Sequence, residues 1–161
     1  MRSHQEWVGM TLDLLEKTPL REAYLIGLWN NALNGPVLKQ IERQFGLGRD
    51  EFNVLYTLLA RGPSLASDIC QLNSRPKNSI SRAVTKLVER GALTKTLIEE
   101  DRRKETLSLT DLGRELCNNA TVLFVERQRE LMQPLDYEER RMFEALLKKA
   151  LMDGPDWRRN L

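Results

Sequence analysis

The sequence has one histidine, His4, and two cysteines, Cys70 and Cys117, which are far apart and form no CxxC pair. That scarcity removes most metal chemistry, because a lone imidazole cannot anchor a site with two distant thiols. It also removes most acid–base catalysis, and no Ser/His/Asp set, GxSxG, phosphate loop or GxGxxG stands in the chain. In a reducing compartment the two thiols read as small core residues, with a redox role as the alternative. No apolar run approaches the roughly 18 residues of a membrane span. The opening MRSHQEWVGM lacks the continuous apolar core of a signal peptide. A cytoplasmic protein with no membrane partner, no metal and no cofactor is expected. Internal repeats and low-complexity linkers are missing too, so the 161 residues fit one compact unit, or one with an appended lobe.

What is present is a core and many helices. Hydrophobic residues make up 41% of the chain and charged ones 30%, enough to fill an interior and to solvate the outside. Ser3 and Glu6 have capping-box spacing, and Trp7, Val8, Thr11, Leu12 and Leu15 then keep helical spacing until Thr18-Pro19 interrupts. A helix over 20–33 carries two neighbouring apolar rows, one with Tyr24 and the other with Trp29, which predicts burial on more than one side. Asn34-Gly35-Pro36 predicts a break or bend before a shorter helix ending at Gly46. Next comes a helix over 50–60 with Phe52, Leu55, Tyr56 and Leu59 inward, then a short one capped by Ser64 with Ala66, Ile69 and Cys70 inward. Strands are expected over 93–98 and 104–109, joined by a charged loop at 99–103. Thr110 caps a long helix, and Asp136 with Glu139 opens a last one that buries Met142, Phe143, Leu146, Leu147, Ala150 and Leu151. The tail DWRRNL has one exposed-looking Trp157.

The chain is organised around residues 64–109: two short helices, a tight turn and a hairpin. In the second helix Ile80, Val84, Leu87 and Val88 form one apolar stripe. Ser74 is placed to cap it, with Pro76 in the first turn, and Gly91 suits the left-handed residue past its end. Its other face carries Asn78, Ser81, Arg82, Thr85 and Lys86, with no carboxylate before Glu89. A solvated helix usually interleaves Glu with Lys to gain i,i+4 pairs. Over 75–104, nine cations stand against four carboxylates, a local net of +5 in a chain of +2. Such a segment is an electrostatic footprint for phosphate. By charge alone it equally fits an ordinary amphipathic helix on a small basic domain.

The order of helices and hairpin resembles the MarR family of bacterial transcription regulators over residues 20–151. The match is strongest at DRRKETLSLTDLG (101–113) and ISRAVTKLVERGAL (80–93). The resemblance implies a mainly α fold with a small β-hairpin. It implies a winged helix–turn–helix lobe (46–110) and a helical dimerisation lobe built from both chain ends (1–45 and 111–161). It further implies a homodimer on double-stranded DNA at a pseudo-palindromic operator, acting as a repressor, with release by a small aromatic or phenolic effector.

The helix over 75–90 would then lie in the major groove, entering by Ser74, Arg75, Lys77 and Asn78. Arg82 is the candidate reader of guanine and Asn78 of adenine, while Ser81, Thr85 and Lys86 set register on the backbone. Arg103, flanked by Arg102 and Lys104, matches the wing arginine and would enter the minor groove, braced by Asp101. Glu99 and Glu100 are candidates to pair with Arg102 and Lys104. Arg21, Tyr24 and Trp29 are the candidates for an effector pocket, against core aromatics plus a surface arginine. Oxidation sensing of the family's kind uses a cysteine near the chain start, and nothing before Cys70 qualifies. The competing readings are a winged-helix protein-interaction module without DNA binding and, behind it, an enzyme.

Overall fold

The computed structural model describes residues 3–98 and 101–155, with the side chains of Ile98 and residues 101–104 outside the description. The chain divides into two compact units, Met1–Pro36 and Val37–Leu161.

In the first unit α1 (His4–Lys17) starts on the predicted capping box. Ser3 Oγ accepts from the Glu6 N–H while Glu6 accepts from the Ser3 N–H. α2 (Arg21–Phe45) begins here and runs on into the second unit as one helix, with Pro36 inside it. Of the predicted break or bend at Asn34-Gly35-Pro36, the break is therefore absent. Pro36 withdraws one N–H from the helical ladder, but the helical spacing of the buried Val37 and Ile41 just beyond it keeps the chain helical. The predicted two-sided burial of its first half is also corrected: Leu20, Tyr24, Leu25, Ile26 and Leu28 are exposed in the single chain.

The second unit holds the core. α3 (Arg49–Arg61) follows the left-handed Gly46 and the buried Leu47. It buries Phe52, Val54, Leu55 and Leu58, whereas Tyr56, expected inside, is 48% exposed and stacks on Phe52 at 5.7 Å. Beyond Gly62 comes a feature the sequence reading missed. Ser64 does not cap a helix; Ser64–Leu65 is a short strand, β1, and α4 (Ala66–Leu72) starts after it. α5 (Lys77–Glu89) buries Ile80, Ala83, Val84 and Leu87; three of these are the predicted stripe, Ala83 joins them, and Val88, also predicted, is only partly buried. β2 (Leu93–Ile98) and β3 (Asp101–Leu109) pair antiparallel, and β1 adds to β3, giving the order β1-β3-β2. The hairpin is tighter than a 99–103 loop, because β3 already begins at Asp101, which pairs with Ile98 past an irregularity at Leu97/Ile98. α6 (Asp111–Leu131) and α7 (Tyr137–Met152) close the chain, the second on its predicted Asp136/Glu139 capping box. α7 departs from expectation: Met142, Leu146 and Leu151 are exposed and none of its described residues is buried within the single chain.

One core therefore joins α3, α4, α5, the sheet and the start of α6, with Ile41, Leu55, Ile69, Ile80, Leu87, Leu107 and Cys117 fully enclosed. The junction from α5 through β3 to α6 is held by Thr110. Its hydroxyl donates to the Gly91 carbonyl at 2.7 Å and accepts from the Gly113 N–H at 3.1 Å, and its own N–H donates to the Ala92 carbonyl. This explains the glycine three residues after Thr110. A Cβ on Gly113 would lie 2.0 Å from the Ala92 carbonyl oxygen, so α6 can start against the strand only without a side chain there. Gly113→Ala should therefore destabilise the fold by about 1–3 kcal/mol or more, read as a lower urea midpoint with little change of slope. An unchanged midpoint would show that the helix start has room to move.

Candidate nucleic-acid interface

α5 reaches its position by an apolar stripe pressed into the core, which turns its polar face outward. Lys77, Asn78, Ser81, Arg82, Thr85 and Lys86 are all exposed on it. Thr85 returns its hydroxyl to the Ser81 carbonyl at 3.1 Å. Among the described residues, Lys77 and Arg82 have no carboxylate partner, so both charges face outward.

The entry to α5 differs from the sequence reading. Ser74 is not its N-cap. It has φ +49, a left-handed conformation rare for a side-chain-bearing residue, and it lies in the turn closing α4. Pro76 takes the N-cap position, supplying no side-chain bond. The turn is instead tied from within: Asn73 Nδ2 donates to Thr57 Oγ1 at 2.8 Å and to the Ile69 carbonyl at 2.9 Å, and Thr57 donates on to the Asn53 carbonyl. Thr57 is a buried polar residue, so this chain satisfies a hydroxyl that would be costly to bury alone.

Three of the predicted cations are engaged by one short segment. Arg75 meets Asp50 through a two-bond fork, Nε to Oδ1 at 2.6 Å and Nη2 to Oδ2 at 3.0 Å. Hydrogen bonding to Asp50 raises the Arg75 guanidinium above its ordinary pKa. Lys86 Nζ lies 3.1 Å from Glu51 Oε1. The other Glu51 oxygen accepts from the Gly48 N–H at 3.0 Å and closes the start of α3. Arg90, at the end of α5, donates to the Gly46 carbonyl at 3.4 Å. Asp50 and Glu51 were invisible as partners in the sequence, since they stand 25 and 35 residues away from the cations they hold. Their only local signal is the capping spacing at the start of a helix.

The wing residues Asp101, Arg102, Arg103 and Lys104 lie along β3, and their side chains are outside the described residues, as are Glu99, Glu100 and Trp157. Lys95 and Glu105 pair across the hairpin at 3.0 Å. In the first unit Arg21 donates Nε to the Leu15 carbonyl at 2.8 Å and Nη2 to the Glu16 carbonyl at 3.2 Å, tying off the end of α1. Tyr24 is exposed and Trp29 half-buried. Among the described residues no group of His, Cys, Asp and Glu could hold a metal, and no helix is long and apolar enough to cross a membrane.

A helix–turn–helix whose second helix shows a cationic, carboxylate-poor face, followed by a two-stranded wing, defines a winged-helix DNA-binding protein. A profile of the MarR family matches residues 45–104. The HTH-type transcriptional regulator PecS of Dickeya dadantii (strain 3937) is 31% identical over 116 residues, 70% of this chain and 70% of PecS. The MarR/EmrR family transcriptional regulator of Acinetobacter sp. ADP1 is 26% identical with a TM-score of 0.70, over 80% of this chain and 90% of its own. Staphylococcus aureus MepR, solved in complex with DNA, shares the fold at a TM-score of 0.71 and 22% identity, over 81% of this chain and 96% of its own. The chain belongs to the MarR family of transcriptional regulators.

Cys117 is fully buried, and desolvation pushes its pKa up to about 11. Burial raises Cys70 as well. Thiolate is the reactive form, so at pH 8 Cys117 should react with a disulfide reagent only after denaturant unfolds the chain. Fast modification of Cys117 in the folded protein would contradict its enclosure.

Proposed function

We propose that this regulator is a repressor that binds a pseudo-palindromic operator as a homodimer, with α5 of each subunit in the major groove. The observation that carries the reading is the outward face of α5, where Asn78, Ser81 and Arg82 stand exposed beside Lys77 with no carboxylate among them. Arg82 is the base reader, since its planar fork matches the O6 and N7 acceptors of guanine. Asn78 offers the equivalent two-bond match to adenine. Lys77, Ser81 and Thr85 set register on phosphate and sugar, and Ser74 does so from the turn. Arg75 and Lys86 join the backbone contacts to the extent that their carboxylate partners release them. Arg103 enters the adjacent minor groove with Arg102 and Lys104 on the flanking backbone, and Asp101 braces the wing.

The dimer reading draws on the apolar side chains left outside. Trp7, Leu12, Leu20, Leu25 and Ile26 in the first unit, and Met142, Leu146 and Leu151 on α7, are exposed in the single chain. Large exposed apolar surface on regular helices marks an interface. We therefore assign residues 1–45 and 111–161 to dimerisation and 46–110 to DNA. The effector reading rests on Tyr24 and Trp29, with Arg21 able to meet an acid only by giving up its hold on the end of α1. A small aromatic acid remains the effector class proposed. With regulators as its relatives, the chain is read as a DNA-binding protein of the cytoplasm and not as an enzyme. A protein-interaction module would use the same terminal faces, but it gives no role to the carboxylate-free face of α5.

Arg82→Ala should weaken binding to a duplex enriched from a randomised library by roughly 1–3 kcal/mol and relax preference at one base pair per half-site. Equal loss on enriched and random DNA would remove the base-reading role. Light scattering at micromolar concentration should give twice the chain mass of 18.7 kDa. A monomer would remove the dimer.

A further inference from the structure

We propose that Asp50 and Glu51, in the first turn of α3, are positioning residues for DNA reading. They hold Arg75 and Lys86 against the protein, fixing α5 from below, and so withhold two cations from the phosphate backbone. The inference rests on the DNA-binding reading above and goes beyond it, because it assigns a function to acids that no DNA contact requires.

The geometry is specific. Arg75 spends the Nε/Nη2 edge of its guanidinium on both oxygens of Asp50, the same edge that would grip a phosphate. Its side chain is 32% exposed and that of Asp50 21%, so bulk salt screens the pair less than it would a surface pair. Glu51 is held more firmly than its partner. Its side chain is 12% exposed against 69% for Lys86, and one of its oxygens is fixed on the Gly48 N–H. Lys86 is thus moored to an acid that cannot follow it outward. The helix end also suits these acids, since the start of α3 carries a partial positive charge that favours carboxylates. With Arg90 on the Gly46 carbonyl, residues 46–51 engage cations from before α5, from within it and from its last turn.

The consequence is a division of labour. Sequence-independent affinity comes from cations that reach phosphates, whereas discrimination comes from side chains that reach bases. Of the five cations over 75–90, three are turned to residues 46–51, and Lys77 and Arg82 point away without a described carboxylate partner. One fixed point just before α5 and one within it set the angle at which Arg82 is presented, while the protein keeps its grip on unrelated DNA weak. Simple electrostatics would say only that the acids repel DNA. The positioning role adds that removing them must cost discrimination, and that the gain in general affinity must pass through the freed cation, Arg75 for Asp50 and Lys86 for Glu51.

The test uses the full chain with Asp50→Asn, Glu51→Gln and the double variant Asp50→Asn/Arg75→Ala. Asn and Gln keep the shape and an acceptor oxygen, and Gln at 51 can still accept from the Gly48 N–H at the start of α3. Two labelled probes are followed by anisotropy between roughly 50 and 200 mM salt. One is a random-sequence duplex, and the other is the duplex that the wild type enriches from a randomised library. Asp50→Asn and Glu51→Gln should each bind the random duplex several-fold more tightly. Their log–log salt dependence should steepen by about 0.9 for every phosphate newly neutralised. The enriched-to-random ratio should fall several-fold, and the double variant should return to the wild-type slope. A purely structural ion pair would lower the melting temperature but leave slope and ratio unchanged, and that result would overturn the proposal while the DNA reading stands. If Asp50→Asn does not fold, Glu51→Gln decides by the same readouts. A wild type that binds neither duplex would overturn the DNA reading and this inference with it.

Discussion

The apolar stripe of α5 is the constraint on which everything else rests. Ile80, Ala83, Val84 and Leu87 are buried against a core drawn from α3, α4, the sheet and α6. Each is a modest contribution, since a fully buried aliphatic side chain is worth roughly 1.5–3 kcal/mol. Together they leave α5 one way to lie, because a rotation by a fraction of a turn would expose the stripe and bury Arg82 or Ser81. Burying an unpaired cation is far more costly than exposing a valine. The outward presentation of the polar face is thus a by-product of packing, and the surface proposed to read DNA is one that the core has already oriented.

The polar bonds refine that orientation. Hydrophobic contact is non-directional, so the stripe alone would tolerate small tilts of the helix. The Asp50–Arg75 fork, the Glu51–Lys86 pair and the Arg90 bond to Gly46 act outside the core, just before α5, within it and at its C-cap. The Asn73–Thr57 bond fixes the turn that delivers the helix. On the far side Thr110 and Gly113 bring the wing strand and α6 close enough to share one interior. Directional bonds surround a non-directional core, and the resulting frame holds a helix on whose outer face Lys77 and Arg82 have no carboxylate partner among the described residues.

Much of this was legible in the sequence because it depends on local chemistry. The capping boxes at Ser3/Glu6 and Asp136/Glu139, the stripe of α5, the glycine after it and the Thr110 cap all follow from residues within one or two turns of each other. What the sequence hid was non-local or competitive. Ser64 has the chemistry of a cap, but its backbone pairs with Leu107 and becomes a strand, a choice made by residues more than forty positions away. Ser74 looked like a cap as well, yet the turn needed a left-handed residue there. Pro36 promised a break or a bend, and the buried spacing of Val37 and Ile41 overrode the break. At the site, the cation count was readable but the commitments of those cations were not: Arg75 and Lys86 look the same as Arg82 until Asp50 and Glu51 are folded beside them. The exposed faces of α1 and α7 are another limit, since a stripe that must be buried does not say whether its cover comes from the same chain.

In the function proposed above, DNA binds on the outer face of α5. The most direct measurement is a titration of the labelled protein with a duplex enriched from a randomised library, followed by two-dimensional NMR of backbone amides and arginine side chains. The account predicts that the largest changes fall on Lys77, Asn78, Ser81 and Thr85 and on the Arg82 guanidinium, with the buried face at Ile80 and Leu87 changing least. Changes confined to α1, α2 and α7, with the Arg82 guanidinium unmoved at saturation, would contradict it.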